Sequence, residues 1–205
     1  FPGSAIPSAV SAYDIDNSVR FNEADSSYLS KTPASATNRK TFTLSAWCKS
    51  SDPTTSQQFT FLNAGDGAQS NLGNSNIQIR SDNIVIYKDG GNEHHTSTAK
   101  FRDPSAWYHV VVAVDTNLTS EDDRAKMYVN GEQLTDYSGT IAEDTEFHFN
   151  NNNFHSIGRN DEGGGPVYGD GYMAEYYWID GTQYAASDFG ELDEDTNQWI
   201  PIDAS

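Results

Sequence analysis

Cysteine is almost missing from this 205-residue chain, where Cys48 stands alone. A single thiol forbids any disulfide within the chain and any zinc site built on thiolates. It falls in an apolar alternating segment, which marks it as a buried, inert side chain and leaves the redox compartment open. Basic residues are also scarce: 12 Lys and Arg face 30 Asp and Glu, for a net charge of −18 and a pI near 4.3. Such a surface repels phosphate backbones and anionic headgroups, so neither nucleic acid nor a membrane surface is expected as partner. Salty, divalent-rich water outside cells would screen this self-repulsion. No apolar run nears the ~20 residues of a spanning helix, so no membrane insertion is expected. The opening FPGSAIPSAVSAY lacks both the basic and the apolar stretch of a secretory signal. Because the chain starts on Phe1 rather than Met, it is expected to be a segment or processed product of a longer protein.

What the chain does contain is period-two alternation. In TFTLSAWCK, Phe42, Leu44, Ala46 and Cys48 alternate with Thr41, Thr43, Ser45 and Trp47. QFTFLN, NIQIR and NIVIYK repeat the pattern, with Ser81-Asp82-Asn83 as the turn between the last two. WYHVVVAVD is apolar on both faces and predicts a central strand covered on both sides. KMYVNGEQL predicts a hairpin, because Asn130-Gly131 supplies the positive φ angles of a two-residue turn. TEFHFN, FHSIG and YMAEYYWID complete the strand set; Tyr172, Tyr176 and Trp178 of the last are expected to share an inward face. ASDFGEL alone predicts a helical turn, with Ser187 as its N-cap. The fold class predicted is all-β, an antiparallel two-sheet sandwich formed as one domain over residues 1–205. Its core should hold Phe42, Leu44, Val110, Val112, Val114, Met127 and Val129.

Two long polar connections, 62–76 and 150–171, are dense in Asn, Asp and Gly. Loops of this kind on a β scaffold carry binding. Asn160, Asp161 and Glu162 directly follow Ile157-Gly158, and clustered hard oxygen ligands are what Ca²⁺ needs; the alternative is a solvated turn. In KDGGNEHHT the adjacent His94 and His95 point to opposite faces of a strand and cannot share a metal without a turn. Asn117-Leu118-Thr119 matches a glycosylation sequon, a triplet common by chance.

The order FTLSAWCKS, WYHVVVAVD, KMYVNGEQL, then a Gly-rich loop before GYMAEYYWIDG, resembles the laminin G-like, pentraxin-like branch of the concanavalin A-like jelly rolls over about residues 40–182. The resemblance implies a jelly roll and, as in many members, Ca²⁺ and through it carbohydrate or protein ligands. The implied metal positions are Asn74 and Asn76 before IQIR and Asn160, Asp161 and Glu162 after SIG; Asp66, on the same 62–76 connection as Asn74, is expected to join them in a site that links this loop to 159–162. Two amides where acids are usual weaken Ca²⁺ binding. For a sugar, Tyr168, Tyr87 and Trp107 would be the aromatic platforms, with Asn92 and Asp66 as planar polar partners. The flanks, AYDIDNSVRFNEADSSYLSKTPASATNRKTFTLSAW and GYMAEYYWIDGTQYAASDFGELDEDTNQWIPI, resemble bacteriophage tail-fibre and other virion proteins. That implies a virion or extracellular location and a host-attachment role. Partners would be a cell-surface glycan or other virion proteins, displayed as a homotrimer or multivalent array. A virion structural or decoration module without a ligand is the second reading.

A glycoside hydrolase of the same fold is the third. Laminarinase relatives carry E-x-D-x-x-E on one strand, so that alternate carboxylates face the sugar. Glu191–Thr196, ELDEDT, imitates this only superficially, lacking flanking strand residues, and Glu143, Asp144 and Glu146 miss the spacing. His109 and His148 lie in strand patterns and read as structural. The chain is expected not to be an enzyme.

Overall fold

A computed structural model of the chain describes residues 13–51, 58–65, 73–89, 93–161 and 165–204. The strands open with Val19–Phe21 (β1), Leu29–Lys31 (β2), Thr41–Ser50 (β3), Gln58–Gly65 (β4), Asn74–Arg80 (β5) and Asn83–Lys88 (β6). Next come Glu93–Ser97 (β7), Tyr108–Asp115 (β8), Ala125–Val129 (β9), Glu132–Leu134 (β10), Tyr137–Ser138 (β11) and Phe154–Ile157 (β12). Arg159–Asn160 (β13), Val167–Tyr168 (β14), Gly171–Asp180 (β15), Gly190–Leu192 (β16) and Trp199–Pro201 (β17) finish the series. Among the described residues they form a six-stranded sheet, β1-β15-β3-β8-β9-β10, and a seven-stranded sheet, β11-β7-β6-β5-β4-β12-β2, both antiparallel. This is the expected jelly-roll sandwich. No helix of the described residues is long and apolar enough to cross a membrane.

The inner faces of the two sheets close on the predicted core. Phe42, Leu44, Val110, Val112, Val114, Met127 and Val129 are all buried, together with Cys48. Phe42 organises one end, stacked on Trp178 at 4.9 Å and edge-on to Phe147 and Phe149. The Trp178 indole donates to Asn150 Oδ1 at 2.7 Å. β8 is central, as its two-sided apolarity requires. A segment after β15 folds back over the outer side of the six-stranded sheet, where Val111, Ala186 and Phe189 form a second core with Tyr128, Tyr177 and Trp199 against it. The Asn130-Gly131 turn forms as predicted, both residues at positive φ.

Several local expectations are corrected. TEFHFN joins no ladder: it delivers Phe147 and Phe149 to the core but bonds instead to Arg39. The β5–β6 turn is Ser81-Asp82 alone, both at positive φ, and Asn83 already pairs with Arg80. The late helical turn is a 3₁₀ turn at Ala186–Asp188 capped by Ala185, whose N–H donates to Asp188 Oδ2; Ser187 lies inside it. Nor is that turn the one helical element: a 3₁₀ turn at Glu23–Asp25 and a one-turn helix at Glu121–Arg124 were not expected. Tyr172 does not share a face with Tyr176 and Trp178. A β-bulge after Ala174, with Glu175 at φ 45°, shifts the alternation, so Tyr172 pairs outward beside Lys49 while Tyr176 and Trp178 pack on the core.

Candidate functional site

On the outer side of the seven-stranded sheet, alternation puts Gln58, Thr60 and Asn63 of β4 beside Asn76 and Gln78 of β5, with Ser156 of β12 next in line. Outward residues of a sandwich are normally wet, yet all of these are buried. The covering comes from the connection after β12, which turns at Gly158 and lays the short β13–β14 pair across the sheet. Gly158 N–H donates to Thr60 O at 2.8 Å, and Asn160 Nδ2 reaches Gln58 Oε1 and, at 3.4 Å, Gln78 Oε1. Gly158 stands at φ 79°, and a Cβ there would strike the Phe21 ring, so only glycine makes this corner.

The covered seam is not satisfied internally. Asn63 Oδ1, both polar atoms of Asn74, Asn160 Oδ1, Asp161 Oδ2 and Thr60 Oγ1 are buried without a hydrogen-bond partner among the described residues. Each such group costs about 1–3 kcal/mol. Asp161 is 4% exposed, and its Oδ1 takes both Arg159 Nε at 2.9 Å and Arg159 Nη2 at 2.6 Å. The other carboxylate oxygen is left bare. Amide and carboxylate oxygens in one dry seam are the donor set of a hard divalent cation, so the residues fit Ca²⁺ chemically. No three His, Cys, Asp or Glu of the described residues cluster so as to hold a metal, which leaves the amides to carry most of the ligation.

The start of β5 is pinned from behind. Asp89 Oδ1 accepts from Gly73 N–H and pairs with His148 Nε2, both at 2.9 Å, while Lys88 Nζ lies 2.6 Å from Oδ2. Burial alone would push the Asp89 carboxyl up, but the bonds from Lys88, Gly73 and His148 outweigh it and hold it down at about 2. This anchor fixes the backbone that carries Asn74.

Of the expected site residues, Asn74 and Asn76 stand on the outer side of β5, where Asn160 reaches Gln78 two residues beyond Asn76, and Asp161 follows Asn160 in the chain. Asp66, Glu162 and Asn92 lie outside the described residues. Tyr87 pairs with Asn76 across β5–β6; its ring meets His94 at 5.9 Å and the Arg80 guanidinium at 5.7 Å. Tyr168 sits across the seam, 6.0 Å from Tyr28, where Arg159 stacks on Tyr28 at 4.9 Å and on Phe154 at 5.2 Å. Trp107 does not belong to this group. It lies against Tyr172 on the outer side of the other sheet. Asn63, Arg159 and Asp89 were missed; the place of Asn63 at the start of the 62–76 connection was the one available signal.

His94 and His95 face opposite ways, as the strand requires. His95 is buried, stacked 4.1 Å from Tyr137, and burial, followed by the His94 charge, pushes its pKa down to about 4. On the other sheet Ser45 Oγ lies 2.9 Å from His109 Nε2, an apparent nucleophile–base pair. The Trp199 indole donates to His109 Nδ1 at 2.9 Å, so the ring proton sits on Nε2 and is given to Ser45. That polarity is opposite to base activation of a serine, and both side chains are buried. Burial holds His109 near 4. The acidic run Glu191–Thr196 lies largely in a surface turn, where Asp193 Oδ1 accepts from the Asp195 and Thr196 N–H groups.

The family model of the concanavalin A-like lectin/glucanases superfamily matches residues 22–187. The chain belongs to that superfamily. Among solved structures, this superfamily member is similar to a heptameric SAP-like pentraxin from Limulus polyphemus (15% identity, TM-score 0.51, 74% of this chain and 68% of that one). It is also similar to the CBM40 of a Ruminococcus gnavus sialidase, solved with α2,3-sialyllactose (15%, 0.52, 78% and 95%). A third is domain 4 of an extracellular arabinanase from Geobacillus stearothermophilus, solved with arabinotriose (15%, 0.51, 72% and 64%). At these identities the likeness establishes the lectin-type fold. No curated protein sequence matches the chain.

Proposed function

We propose that this chain is a Ca²⁺-supported glycan-binding module that helps a virus particle attach to its host. The observation that carries the reading is the seam of buried oxygens without partners on Asn63, Asn74, Asn160 and Asp161. A fold that keeps several such groups dry is less stable than one with apolar replacements, and a ligand that satisfies them accounts for their presence. These four residues would hold the ion, with Asn76 beside them and Asp66 and Glu162 as further candidate ligands by sequence. Bound there, Ca²⁺ would supply coordination for vicinal sugar hydroxyls. The chain's own contribution is orientation: Tyr87 and Tyr168 flank the seam and offer ring faces, while Arg159 keeps Asp161 turned so that one oxygen stays available.

Saccharide ligands in the Ruminococcus and Geobacillus structures support the class of ligand. The virion context rests on the likeness of the flanking sequences to phage fibre proteins. The role is binding rather than hydrolysis, since Asp193 is committed to its turn and no E-x-D-x-x-E strand is present. A solitary sugar site is weak, so attachment would draw on repeated copies. The test is to couple the module to beads and measure adsorption to host cells with Ca²⁺, with EDTA, and after the surface polysaccharide has been stripped. Adsorption should vanish in the last two conditions. Adsorption that survives stripping excludes glycan as the ligand, and adsorption that survives EDTA excludes the cation.

A further inference from the structure

The outer side of the six-stranded sheet carries an opening unrelated to the oxygen seam. A cleft of about 890 Å³ runs between the tip of the β9–β10 hairpin, the approach to β8 and the β16–β17 hairpin; Trp47, Trp107, Trp199, Tyr108, Asn130 and Gln198 are among its walls. Three of the chain's four tryptophans therefore line one hollow. Trp47 and Trp107 also wall a second hollow of about 360 Å³ that reaches Asp16 and Asn17, so the pair stands between two connected depressions.

We infer that this furrow is a second saccharide site, one that binds a neutral sugar chain without any cation. It goes beyond the Ca²⁺-linked reading and does not depend on it.

The walls are built in advance. Trp47 stacks on His109 with centroids 5.1 Å apart, and His109 stacks on Trp199 at 6.0 Å, the rings within 25° of parallel. The Trp199 indole is tied to His109, and its ring lies so close to Gly131 that any Cβ at that turn would strike it. Rigid rings lose little freedom on binding. Trp107, by contrast, keeps 39% of its surface exposed. The Trp47 indole N–H is buried and finds no acceptor among the described residues.

Charge narrows the class of ligand. On a chain of net charge −18 the larger cleft is lined by one Lys and one Glu, Lys100 and Glu132. The Lys100 ammonium is already bonded to Ser81 O and Asn83 Oδ1. That leaves Glu132 as the single carboxylate at the cleft, with no cluster of like charge to select an ion. A pyranose offers an apolar C–H face for an indole and hydroxyls for the amides of Asn130, Asn197 and Gln198 at the mouth. The two hollows on either side of Trp47 and Trp107 favour a chain of several sugars over a monosaccharide.

The experiment records indole N–H signals of the full chain by ¹H–¹⁵N NMR in EDTA, during titration with neutral gluco-, manno-, galacto- and xylo-oligosaccharides. The Trp107 and Trp47 signals should move and that of Trp178, bonded to Asn150, should stay. Trp107→Ala should weaken binding about tenfold, equivalent to about 1.4 kcal/mol. Trp47→Phe, which keeps a ring but loses the donor, should weaken it less, and circular dichroism would establish that both variants fold. Immobile Trp107 and Trp47 signals with every sugar overturn the inference, as does unchanged affinity in a folded Trp107→Ala. Movement of those signals with a neutral aromatic peptide and none of the sugars overturns the ligand class. Failure of the Ca²⁺ reading leaves this result intact, because EDTA is present throughout.

Discussion

The two outer faces of this sandwich are both covered, but by opposite chemistry. Over the seven-stranded sheet lies the β13–β14 connection, and beneath it are amides and one carboxylate, several of whose oxygens have no partner among the described residues. Over the six-stranded sheet lies the segment ending in β16–β17, and beneath it Val111, Phe189, Tyr177 and Trp199 form an apolar second core. The first cover buries polar atoms at a net cost, and the second removes apolar surface from water at a net gain. The aromatic cover thus adds to stability, whereas the oxygen seam draws on it. Truncating the aromatic side should harm the fold, and altering the oxygen side should harm a ligand.

Trp199→Ala gives the largest effect. The substitution removes a wall of the second core and the donor to His109 Nδ1, leaving a buried acceptor bare. A loss of about 3–5 kcal/mol is expected, seen as a fall in the urea midpoint with an unchanged m-value. A loss under about 1 kcal/mol would mean that the C-terminal cover contributes little and the comparison fails.

Acid separates the two sides next. His95, on the inner face of the seven-stranded sheet, and His109, under the aromatic cover, both titrate near 4 in the folded chain against an ordinary value of 6.5. As pH falls below 6.5 the unfolded chain takes up protons that the folded chain refuses. Stability must therefore decline from 6.5 down to about 4 and then level off with respect to these groups. Each histidine contributes a loss on the order of 3 kcal/mol over that window. His155, also lowered by burial, adds in the same direction. His95→Phe preserves the stacking on Tyr137 and should remove its share, leaving the decline due to His109. Urea midpoints between neutral pH and about pH 4.5 that fall equally in wild type and variant would deny His95 any part in the decline.

The period-two segments made the core and the long strands legible, though TEFHFN formed no strand and the short β1, β2, β16 and β17 went unread, and the Asn130-Gly131 pair made its hairpin legible to the residue. What decides the two candidate sites was illegible for one shared reason: a β-bulge reverses a strand's phase without a marker in the sequence. In β4, alternation from Phe59 and Phe61 sends Asn63 inward. The irregularity between Thr60 and Leu62 sends it outward instead, opposite Asn76 and Ser156. In β15 the bulge at Glu175 turns Tyr172 outward towards Trp107 and leaves Tyr176 and Trp178 inside. Asn74, Asn76, Asn160 and Asp161 were named as candidates because a family resemblance and plain oxygen chemistry both pointed to them. The tryptophan cleft was not, since Trp47, Trp107 and Trp199 are far apart in sequence and no pattern joins them.

The smallest predicted effect discriminates best, because its sign changes. Asn74 is buried in β5 with neither amide atom bonded. Asn74→Val suits a strand and discards two unsatisfied groups, so in EDTA it should leave stability unchanged or raise it by about 1 kcal/mol. In millimolar Ca²⁺ the order should invert. Wild type then gains RT ln(1 + [Ca²⁺]/Kd), about 2.7 kcal/mol when the ion exceeds its Kd a hundredfold, and the variant forgoes most of that gain. Thermal melts of both proteins in both buffers give four midpoints and one interaction term. If Asn74→Val shifts the midpoint equally with and without Ca²⁺, Asn74 holds no ion and its bare amide is only a local defect. A stabilisation confined to EDTA would identify the dry oxygens as a cost the fold accepts for its ligand.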